Sequence, residues 1–251
     1  MLNPFRIVGG LATLALLAVA AFAGWFFFLR DDGPAAVSTD AALEALERRT
    51  ATAAAGAGTP APGSSSSTPA ATSGGGIEGA WTVEQSADSF VGYRVQEELV
   101  NIGGTTAVGR TSKVTGGFTV TGNRTSEATI TVDMTTLKSQ ESLRDGQLRN
   151  QGIEYGRFPT STFTLNPTEI PESVEAGQTT PITLTGKLTL HGVTRDIEMP
   201  AEVTLRDGVL VVVGQVEIRF ADYNISKPSS VRVASIEDHG VMEIQLLFKK
   251  A

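Results

Sequence analysis

Histidine is the side chain best suited to acid–base chemistry near neutral pH, and this sequence contains only two, His191 and His239. Both stand before a glycine, in "LHGVT" and "EDHGV". A catalytic histidine needs a nucleophile or an orienting partner, and neither is detectable nearby in the sequence. An X-Gly pair between two alternating stretches is typical of a hairpin turn. We therefore interpret both histidines as turn residues and predict no catalytic residue.

Two pairs of adjacent charged residues are the next candidates. Glu97 and Glu98 are a carboxylate doublet, but neighbouring residues of a strand face opposite sides of the sheet. They therefore cannot act together as acid and base. Arg144 and Asp145 fit two roles: they could grip the polar head of a ligand at the mouth of a cavity, or form a local ion pair that fixes a loop.

Composition excludes several classes of function. The chain has no cysteine, which removes disulfides, thiolate catalysis and zinc–thiolate sites. Its formal net charge of −7 disfavours a nucleic-acid partner, because phosphate binding requires a basic face. The sequence contains no phosphate-binding loop, dinucleotide fingerprint, zincin motif or nucleophile elbow. We expect neither a cofactor nor a metal site.

Apolar and polar residues alternate with a period of two through most of the chain after residue 76. The pattern is clear in "SKVTGGFTV" (112–120), in "ATITVDM" (128–134), and in the two runs on either side of His191 (182–190 and 193–205). Such alternation is the signature of half-buried antiparallel strands. The remaining predicted strands cover 80–83 as a short edge, 89–100, 160–170, 206–220 and 241–248.

About eight antiparallel strands either close into a barrel or pack as a sandwich. The one predicted helical segment is short and covers 139–153, with Ser139 and Ser142 as candidate caps and Leu143, Leu148 and Ile153 as apolar contacts. The apolar strand faces contain almost no ionisable residue, so a cavity lined by them would suit an apolar ligand. Gly116, Gly186 and Gly214 lie in phase with these faces, where glycine bends a strand or leaves space.

The N-terminal segment predicts a membrane anchor. Ile7 to Leu29 is a run of 23 residues without a charge, and as a helix it would span roughly 35 Å, enough to cross a bilayer. The alternative is a cleaved signal peptide, since Ala21-Phe22-Ala23 resembles a cleavage site. The apolar run continues beyond that site to Leu29, so we favour the uncleaved anchor and divide the chain into an anchor (1–30), a tether (31–76) and a barrel domain (77–251).

The predicted tether has two parts. "STDAALEALERRT" (38–50) could form a short helix, although a helix of this length is marginal in water by itself. Residues 51–76 are rich in Ala, Gly, Ser, Thr and Pro and lack the large apolar residues that build a core. We expect this part to be disordered.

Several separated motifs together resemble the YceI-like family of polyisoprenoid-binding, lipocalin-like proteins. They are Arg144-Asp145-x-x-Leu148, Phe158-Pro159 with Phe163, Gly186-x-Leu188-Thr189-x-x-Gly192-x-Thr194, and Asp222-Tyr223. The resemblance covers nearly all of residues 80–250, and the anchor followed by a tether is similar to the arrangement of actinobacterial members. Many members carry a histidine where this chain has Gln147.

The resemblance implies an all-β fold: an antiparallel eight-stranded lipocalin-like barrel that holds a long isoprenoid chain, without catalysis. The expected ligand-binding residues are Val95, Phe118, Val120, Ile130, Val132, Arg144, Asp145, Phe163, Leu184, Leu188, Ile197, Met199, Val212, Val216 and Ile244. The expected function is a lipid carrier or storage protein. Two alternatives remain open, a non-catalytic interaction module whose barrel is filled by side chains and a lipid-modifying enzyme.

The anchor also sets the expected location and partners. We expect a single-pass protein of the cell membrane whose barrel lies on the extracytoplasmic side. The expected partners are an apolar isoprenoid-type lipid and the membrane itself, and no nucleic acid. The sequence does not fix the oligomeric state, and a homodimer is one of the states left open.

Overall fold

The computed structural model describes residues 33–56 and 76–251. The predicted anchor, Ile7–Leu29, lies outside these residues, as does most of the low-complexity stretch. Within the described ranges, no helix has the length and apolar character needed to cross a membrane. The helices are α1 (Thr39–Gly56), α2 (Ser142–Asn150) and α3 (Glu172–Glu175), with 3-10 turns at Met134–Thr136 and Phe220–Tyr223.

The described residues form one antiparallel sheet of 13 strands. The strands are β1 (Gly79–Val83), β2 (Phe90–Leu99), β3 (Gly103–Thr111), β4 (Val114–Thr121), β5 (Arg124–Thr125), β6 (Ala128–Asp133), β7 (Lys138–Ser139), β8 (Thr160–Leu165), β9 (Thr180–Leu190), β10 (Val193–Arg206), β11 (Val209–Arg219), β12 (Val233–Ile236) and β13 (His239–Lys250).

Eight of these strands close into a barrel. Their order is β1-β4-β6-β8-β9-β10-β11-β13, and β1 pairs back onto β13 through Trp81 opposite Lys250 and Val83 opposite Phe248. The predicted eight-stranded barrel is thus confirmed. The place of β1 differs from the sequence prediction, because β1 is the strand that closes the barrel and not an edge.

Strand β13 is long enough to hold two partners along one edge. Its C-terminal end pairs with β1, and its N-terminal half pairs with β2, from Val241 opposite Arg94 to Gln245 opposite Phe90. The strands β2, β3 and β7 therefore extend outside the closed ring. The sequence analysis missed β3 because "GGTTAVGRT" has few large apolar residues to alternate.

The hairpin turn at His191 lies where the sequence predicts it. Leu190 pairs with Val193 across the turn between β9 and β10, and the turn residues His191 and Gly192 have φ values of 51° and 74°. This left-handed geometry is that of a two-residue hairpin turn, in which glycine is favoured at the second position. His191 is therefore a turn residue, as predicted. The same interpretation is wrong for His239, which is the first residue of β13 and pairs with Arg219 of β11.

We call the end of the barrel at which β2 ends and β13 begins the open end, and the opposite end the closed end. The closed end is filled by a cluster of buried apolar side chains that includes Trp81, Val120 and Phe248. Ile170 and Val174, from the connection between β8 and β9, join the same cluster and are 3% and 0% exposed. The interior is therefore a packed core at this end.

Gly186 allows close packing of strands and side chains inside the barrel. A Cβ atom at Gly186 would lie 2.2 Å from the carbonyl oxygen of Thr164 and 2.9 Å from the Phe163 ring. Any side chain at this position would have to displace that ring. The absence of a side chain at Gly186 therefore gives the Phe163 ring its place inside the barrel.

Residues 34–49 pack against the outer wall of the barrel. Helix α1 places Ala42 and Leu46 against Val211, Val213 and Leu247, and all five side chains are buried. A burial of this kind stabilises a helix that would be marginal alone. The helical alternative for 38–50 is thus the one the structure adopts, and the packed unit extends on the N-terminal side of the predicted boundary at residue 77.

A buried ion cluster fastens the start of this segment. Glu243 on β13 is 0% exposed, and its carboxylate lies 2.8 Å from Arg110 Nε and 3.8 Å from Arg94 Nη1. The same two guanidinium groups each donate to a backbone carbonyl of the segment, Arg94 to Pro34 and Arg110 to Ala35, both at 2.7 Å. The cluster therefore joins β2, β3 and β13 to the N-terminal segment.

Glu243→Gln is expected to lower the free energy of unfolding by about 3–5 kcal/mol, because it leaves two arginines without their buried counter-charge. Asp196→Asn is the matched control. It breaks the Lys187–Asp196 pair, whose side chains are 59% and 82% exposed, and such exposed pairs contribute at most about 1 kcal/mol. Denaturant unfolding of both variants measures the difference. Equal losses would contradict the stabilising role of Glu243.

Candidate functional site

A cavity of about 750 Å³ occupies the open half of the barrel. Cavities that hold small ligands are roughly 300–1,000 Å³ and mostly apolar. Its wall is built from the inward faces of the barrel strands, from β2 and β3, from helix α2, and from the segment 225–236. It opens where α2 and that segment face the turn between β2 and β3.

The structure brings eight of the expected ligand-binding residues together in the cavity wall. They are Val95, Ile130, Val132, Arg144, Phe163, Leu188, Met199 and Ile244. Leu188 and Met199 are only 2% and 1% exposed, so they form the deep part of the wall. The apolar character of the strand faces around the cavity is therefore as expected.

The other seven expected residues lie elsewhere. They are Phe118, Val120, Asp145, Leu184, Ile197, Val212 and Val216, and none is part of the cavity wall. The expectation that all the apolar strand faces enclose one cavity is therefore wrong. Phe118 packs on Phe248 with ring centroids 5.0 Å apart, and Val120, Leu184 and Val212 are buried in the hydrophobic core.

Ile197 and Val216 were placed on the correct face but not in the cavity. Both are partly buried and pack against the cluster formed by Leu188, Ile218 and Tyr223. Strand periodicity indicates which face a residue is on, but not which inward side chains pack against one another and which border the cavity. That division depends on side chains from several strands, which a single strand's pattern does not reveal.

The apolar wall also contains one polar cluster, formed by Tyr93, Glu97 and Arg144. Arg144 Nη2 donates to Glu97 Oε1, and the two side chains are 18% and 6% exposed. Tyr93, Val95 and Glu97 alternate along β2 and all three line the cavity. The expectation of an inner face almost free of ionisable groups is therefore wrong for β2. Glu97 shares the face of Val95, which is the signal that could have found it.

Asp145 does not pair with Arg144 in the way that either sequence interpretation required. Its Oδ1 accepts hydrogen bonds from the backbone N–H and the hydroxyl of Ser139, at 2.9 Å and 2.8 Å. Lys138 Nζ lies 3.9 Å from its other oxygen. Asp145 therefore fixes the start of helix α2 to β7, and Arg144 alone faces the cavity.

The hydroxyl of Tyr93 is buried and has no hydrogen-bond partner among residues 33–56 and 76–251. Burial raises the pKa of this phenol above its ordinary value of 10.0, and the nearby positive charge of Arg144 opposes the shift only in part. A Cβ atom at Gly109 would lie 2.4 Å from the Tyr93 ring. The glycine in β3 is thus what allows the ring to lie where it does.

This cluster can bind a polar group. Glu97 and Arg144 neutralise each other, and Tyr93 stays protonated, so the cluster presents hydrogen-bond donors beside an apolar wall. In the part of the chain that the structure describes, no three His, Asp or Glu side chains are grouped as metal ligands.

His191 is buried beside the cavity but is not part of its wall. Its Nδ1 lies 2.9 Å from the carbonyl oxygen of Tyr223, and its Nε2 lies 2.7 Å from Glu154 Oε2. The ring stacks edge-on against Phe158, with centroids 4.4 Å apart. The histidine therefore joins three loops at the open end. Glu154 is distant in sequence, which is why this partner was not detected.

Sequence analysis also missed the apolar residues that surround the opening. The sequence predicts only a helix contact for Leu143, Leu148 and Ile153. In the structure all three line the cavity. The segment 225–236 was not assigned to any site, and it contributes Ile225, Val231, Val233 and Ile236. This segment lacks regular alternation, so no pattern indicated it.

Comparison with known proteins identifies the family. The model of the YceI-like domain matches residues 81–248, which is most of the chain. The chain belongs to the YceI-like family. The match begins in β1 and ends in β13, so it coincides with the strands that close the barrel. No curated protein matches the chain.

Solved structures agree with this assignment at the level of the fold. A polyisoprenoid binding domain from Saccharophagus degradans, implicated in plant cell wall breakdown, aligns with a TM-score of 0.53 and 17% identity, covering 69% of this chain and 100% of that domain. BcnA from Burkholderia cenocepacia aligns with a TM-score of 0.50 and 20% identity, covering 66% of this chain and 98% of that protein.

The raised pKa of Tyr93 leads to a prediction about stability at alkaline pH. The folded protein holds this proton more tightly than the unfolded chain, so the contribution to stability is complete below pH 10.0 and is lost as the pH rises towards the raised pKa. Tyr93→Phe should reduce the loss of stability above pH 10.0. It should not abolish the loss, because burial also raises the pKa of Tyr223.

Denaturant unfolding of the wild type and of Tyr93→Phe, at neutral pH and above pH 10.0, measures this effect. At neutral pH the two proteins should be similarly stable, because the hydroxyl has no partner to lose. An alkaline loss of the same size in both proteins would contradict the assignment.

Proposed function

We propose that this YceI-like protein binds a long apolar lipid of the isoprenoid type in the open half of its barrel. The observation that carries the proposal is the continuous apolar wall of a cavity of about 750 Å³. Aliphatic and aromatic side chains from at least five strands form this wall, and a flexible hydrocarbon is the ligand that replaces water there with the largest gain. The family of the chain agrees with this reading.

The polar cluster gives the ligand an orientation. A lipid with one polar end would place that end beside Tyr93 and Arg144, whose N–H and O–H groups can donate to an oxygen. The apolar tail would then extend along Leu188 and Met199 towards the packed core. The neutralised pair and the protonated phenol favour binding over catalysis, so we assign the protein a carrier or storage role.

We further propose that Ile7–Leu29 anchors the protein in the cell membrane as a single span, with the barrel on the extracytoplasmic side. The support is the length of the uncharged run, together with the aromatic residues at its end, Trp25 to Phe28, which suit the headgroup region. A carrier held at the bilayer would exchange its ligand with the membrane in which such lipids dissolve.

Leu188→Glu tests the binding site directly. A carboxylate facing an apolar ligand has no partner to offset its desolvation, so affinity for a fluorescent isoprenoid should fall by more than about tenfold, which corresponds to about 1.4 kcal/mol. Folding stability should fall less, because water can enter the cavity of the ligand-free variant. Binding is measured by fluorescence titration and stability by denaturant unfolding of delipidated protein.

Thr183→Glu is the matched control, since Thr183 lies on the same strand as Leu188 and is exposed on the opposite face. It adds the same charge outside the barrel and should leave the affinity within about twofold of the wild type. Unchanged binding by Leu188→Glu would overturn the proposed site. Complete unfolding of that variant would place Leu188 in a filled core.

Removal of residues 1–30 should release the protein from the membrane and leave it folded. Pro34 already contacts the outer wall, so this deletion keeps the contacts of Pro34 and of the residues after it. Flotation of cell membranes at high salt measures the partition. If the shortened protein still floats with the membranes to the same extent as the full chain, Ile7–Leu29 is not the attachment.

A further inference from the structure

The large apolar side chains that are exposed are all at one place. Among the described residues they are Val100 (45%), Ile102 (56%), Leu143 (60%) and Val231 (96%). Val100 and Ile102 lie at the turn between β2 and β3, Leu143 lies on α2, and Val231 lies in the segment before β12. All four border the opening of the cavity. We call these four residues the rim.

Apolar residues that are exposed singly are ordinary, but a group around one opening marks an interaction surface. The three elements of the rim are far apart in sequence, so the grouping results from the fold. The closed end of the barrel has no such group among the described residues, because its turns consist of polar and charged residues such as Asp207 and Glu175.

The path of the N-terminal segment indicates what covers the rim. Successive residues of this segment contact the barrel at successive positions along β13. The carbonyl oxygen of Pro34 binds Arg94, which pairs with Val241, and that of Val37 binds Gln215, which pairs with Glu243.

The same direction continues further along the segment. Thr39 donates to Glu202, which lies opposite Val213 and therefore at the level of Gln245. Arg49 pairs with Glu84, whose N–H donates to the carbonyl oxygen of Leu247. Since β13 runs from the open end to the closed end, the chain before residue 34 leaves the barrel wall in the direction of the rim.

The lengths involved agree with contact between the rim and the bilayer. Gly33 is four residue steps from Leu29, the last residue of the proposed anchor, and four steps reach at most about 14 Å. Val100 is six residue steps from Arg94 along β2 and into the turn that follows it, which is about 20 Å. A strand tilt of about 35–45° reduces that rise to about 15 Å along the barrel axis. The chain before Gly33 is therefore long enough to bring the end of the proposed anchor to about the height of the rim.

From these two observations we infer that the rim docks onto the lipid bilayer, so that the cavity opens directly into the membrane surface. The inference rests on the proposed anchor and extends the proposed lipid binding, since it supplies a path for the ligand. The four rim side chains lie in the headgroup and upper acyl region, to which exposed apolar side chains partition. An apolar ligand then passes between membrane and cavity without crossing water.

The segment 57–75 is not a spacer between membrane and barrel, because the chain contacts the barrel on both sides of it.

Site-specific labelling of the full chain tests the inference, and the absence of cysteine makes single labels straightforward. Val231→Cys carries an environment-sensitive fluorophore at the rim. Thr179→Cys carries it at the closed end, where Thr179 is exposed. Both proteins are reconstituted in vesicles of phosphatidylethanolamine and phosphatidylglycerol that contain spin-labelled acyl chains.

The label at residue 231 should be quenched by the spin-labelled chains, and the label at residue 179 should not. Adding Ile102→Asp to Val231→Cys should lower the quenching to the level of the Thr179→Cys protein, because a carboxylate resists burial in the interface. Adding Glu175→Asn, at the closed end, should leave the quenching at residue 231 unchanged.

Equal, weak quenching at both positions would overturn the inference and point to a protein partner for the rim. Stronger quenching at residue 179 than at residue 231 would show that the closed end faces the bilayer, and it would also overturn the inference. Titration of a fluorescent isoprenoid in detergent micelles separates this result from the proposed function. Quenching at the rim without isoprenoid binding would contradict the proposed ligand and support docking of the rim. Isoprenoid binding without quenching at the rim would support the proposed ligand and contradict docking of the rim.

Discussion

The barrel interior is filled by side chains at one end only, and the rest of the structure depends on where that filling stops. Eight strands enclose a space about as wide as their inward side chains can fill. At the closed end Trp81, Val120 and Phe248 fill it, with Val174 added from the connection between β8 and β9. At the open end the strands β2 and β3 extend outside the ring, and a cavity of about 750 Å³ remains. Folding stability and ligand binding are thus assigned to opposite halves of one barrel.

Strand β13 connects these halves to the outer wall. Its even-numbered residues, such as Met242 and Ile244, face the cavity, whereas Glu243 faces outwards and is fully buried under the N-terminal segment. A buried carboxylate is tolerated here because two guanidinium groups neutralise it. The same guanidinium groups bind the carbonyl oxygens of Pro34 and Ala35. Glu243, Arg94 and Arg110, on the outer side of the cavity wall, therefore set the position at which the N-terminal segment meets the barrel.

The sequence was sufficient to predict the strands with regular alternation, the hairpin at His191 and the barrel itself. Periodicity also identified Leu188 and Met199 on the inward face. It could not predict β3, whose glycines leave little to alternate, or the closing role of β1, which depends on pairing between the two ends of the barrel domain. The polar cluster was missed for a similar reason. Glu97 is in phase with Val95, but its partner Arg144 lies 47 residues away in sequence, and the depth of the packed core is a property of all the strands together.

The account makes one claim above the others, that the open half of the barrel holds an apolar lipid. Mass spectrometry of the lipids extracted from the purified full-length protein tests it most directly, with the Leu188→Glu protein prepared in parallel. The account predicts one class of long-chain apolar lipid, close to one molecule per chain in the wild type and strongly depleted in the variant. A water-soluble ligand, or the same lipids in equal amounts in both proteins, would contradict it.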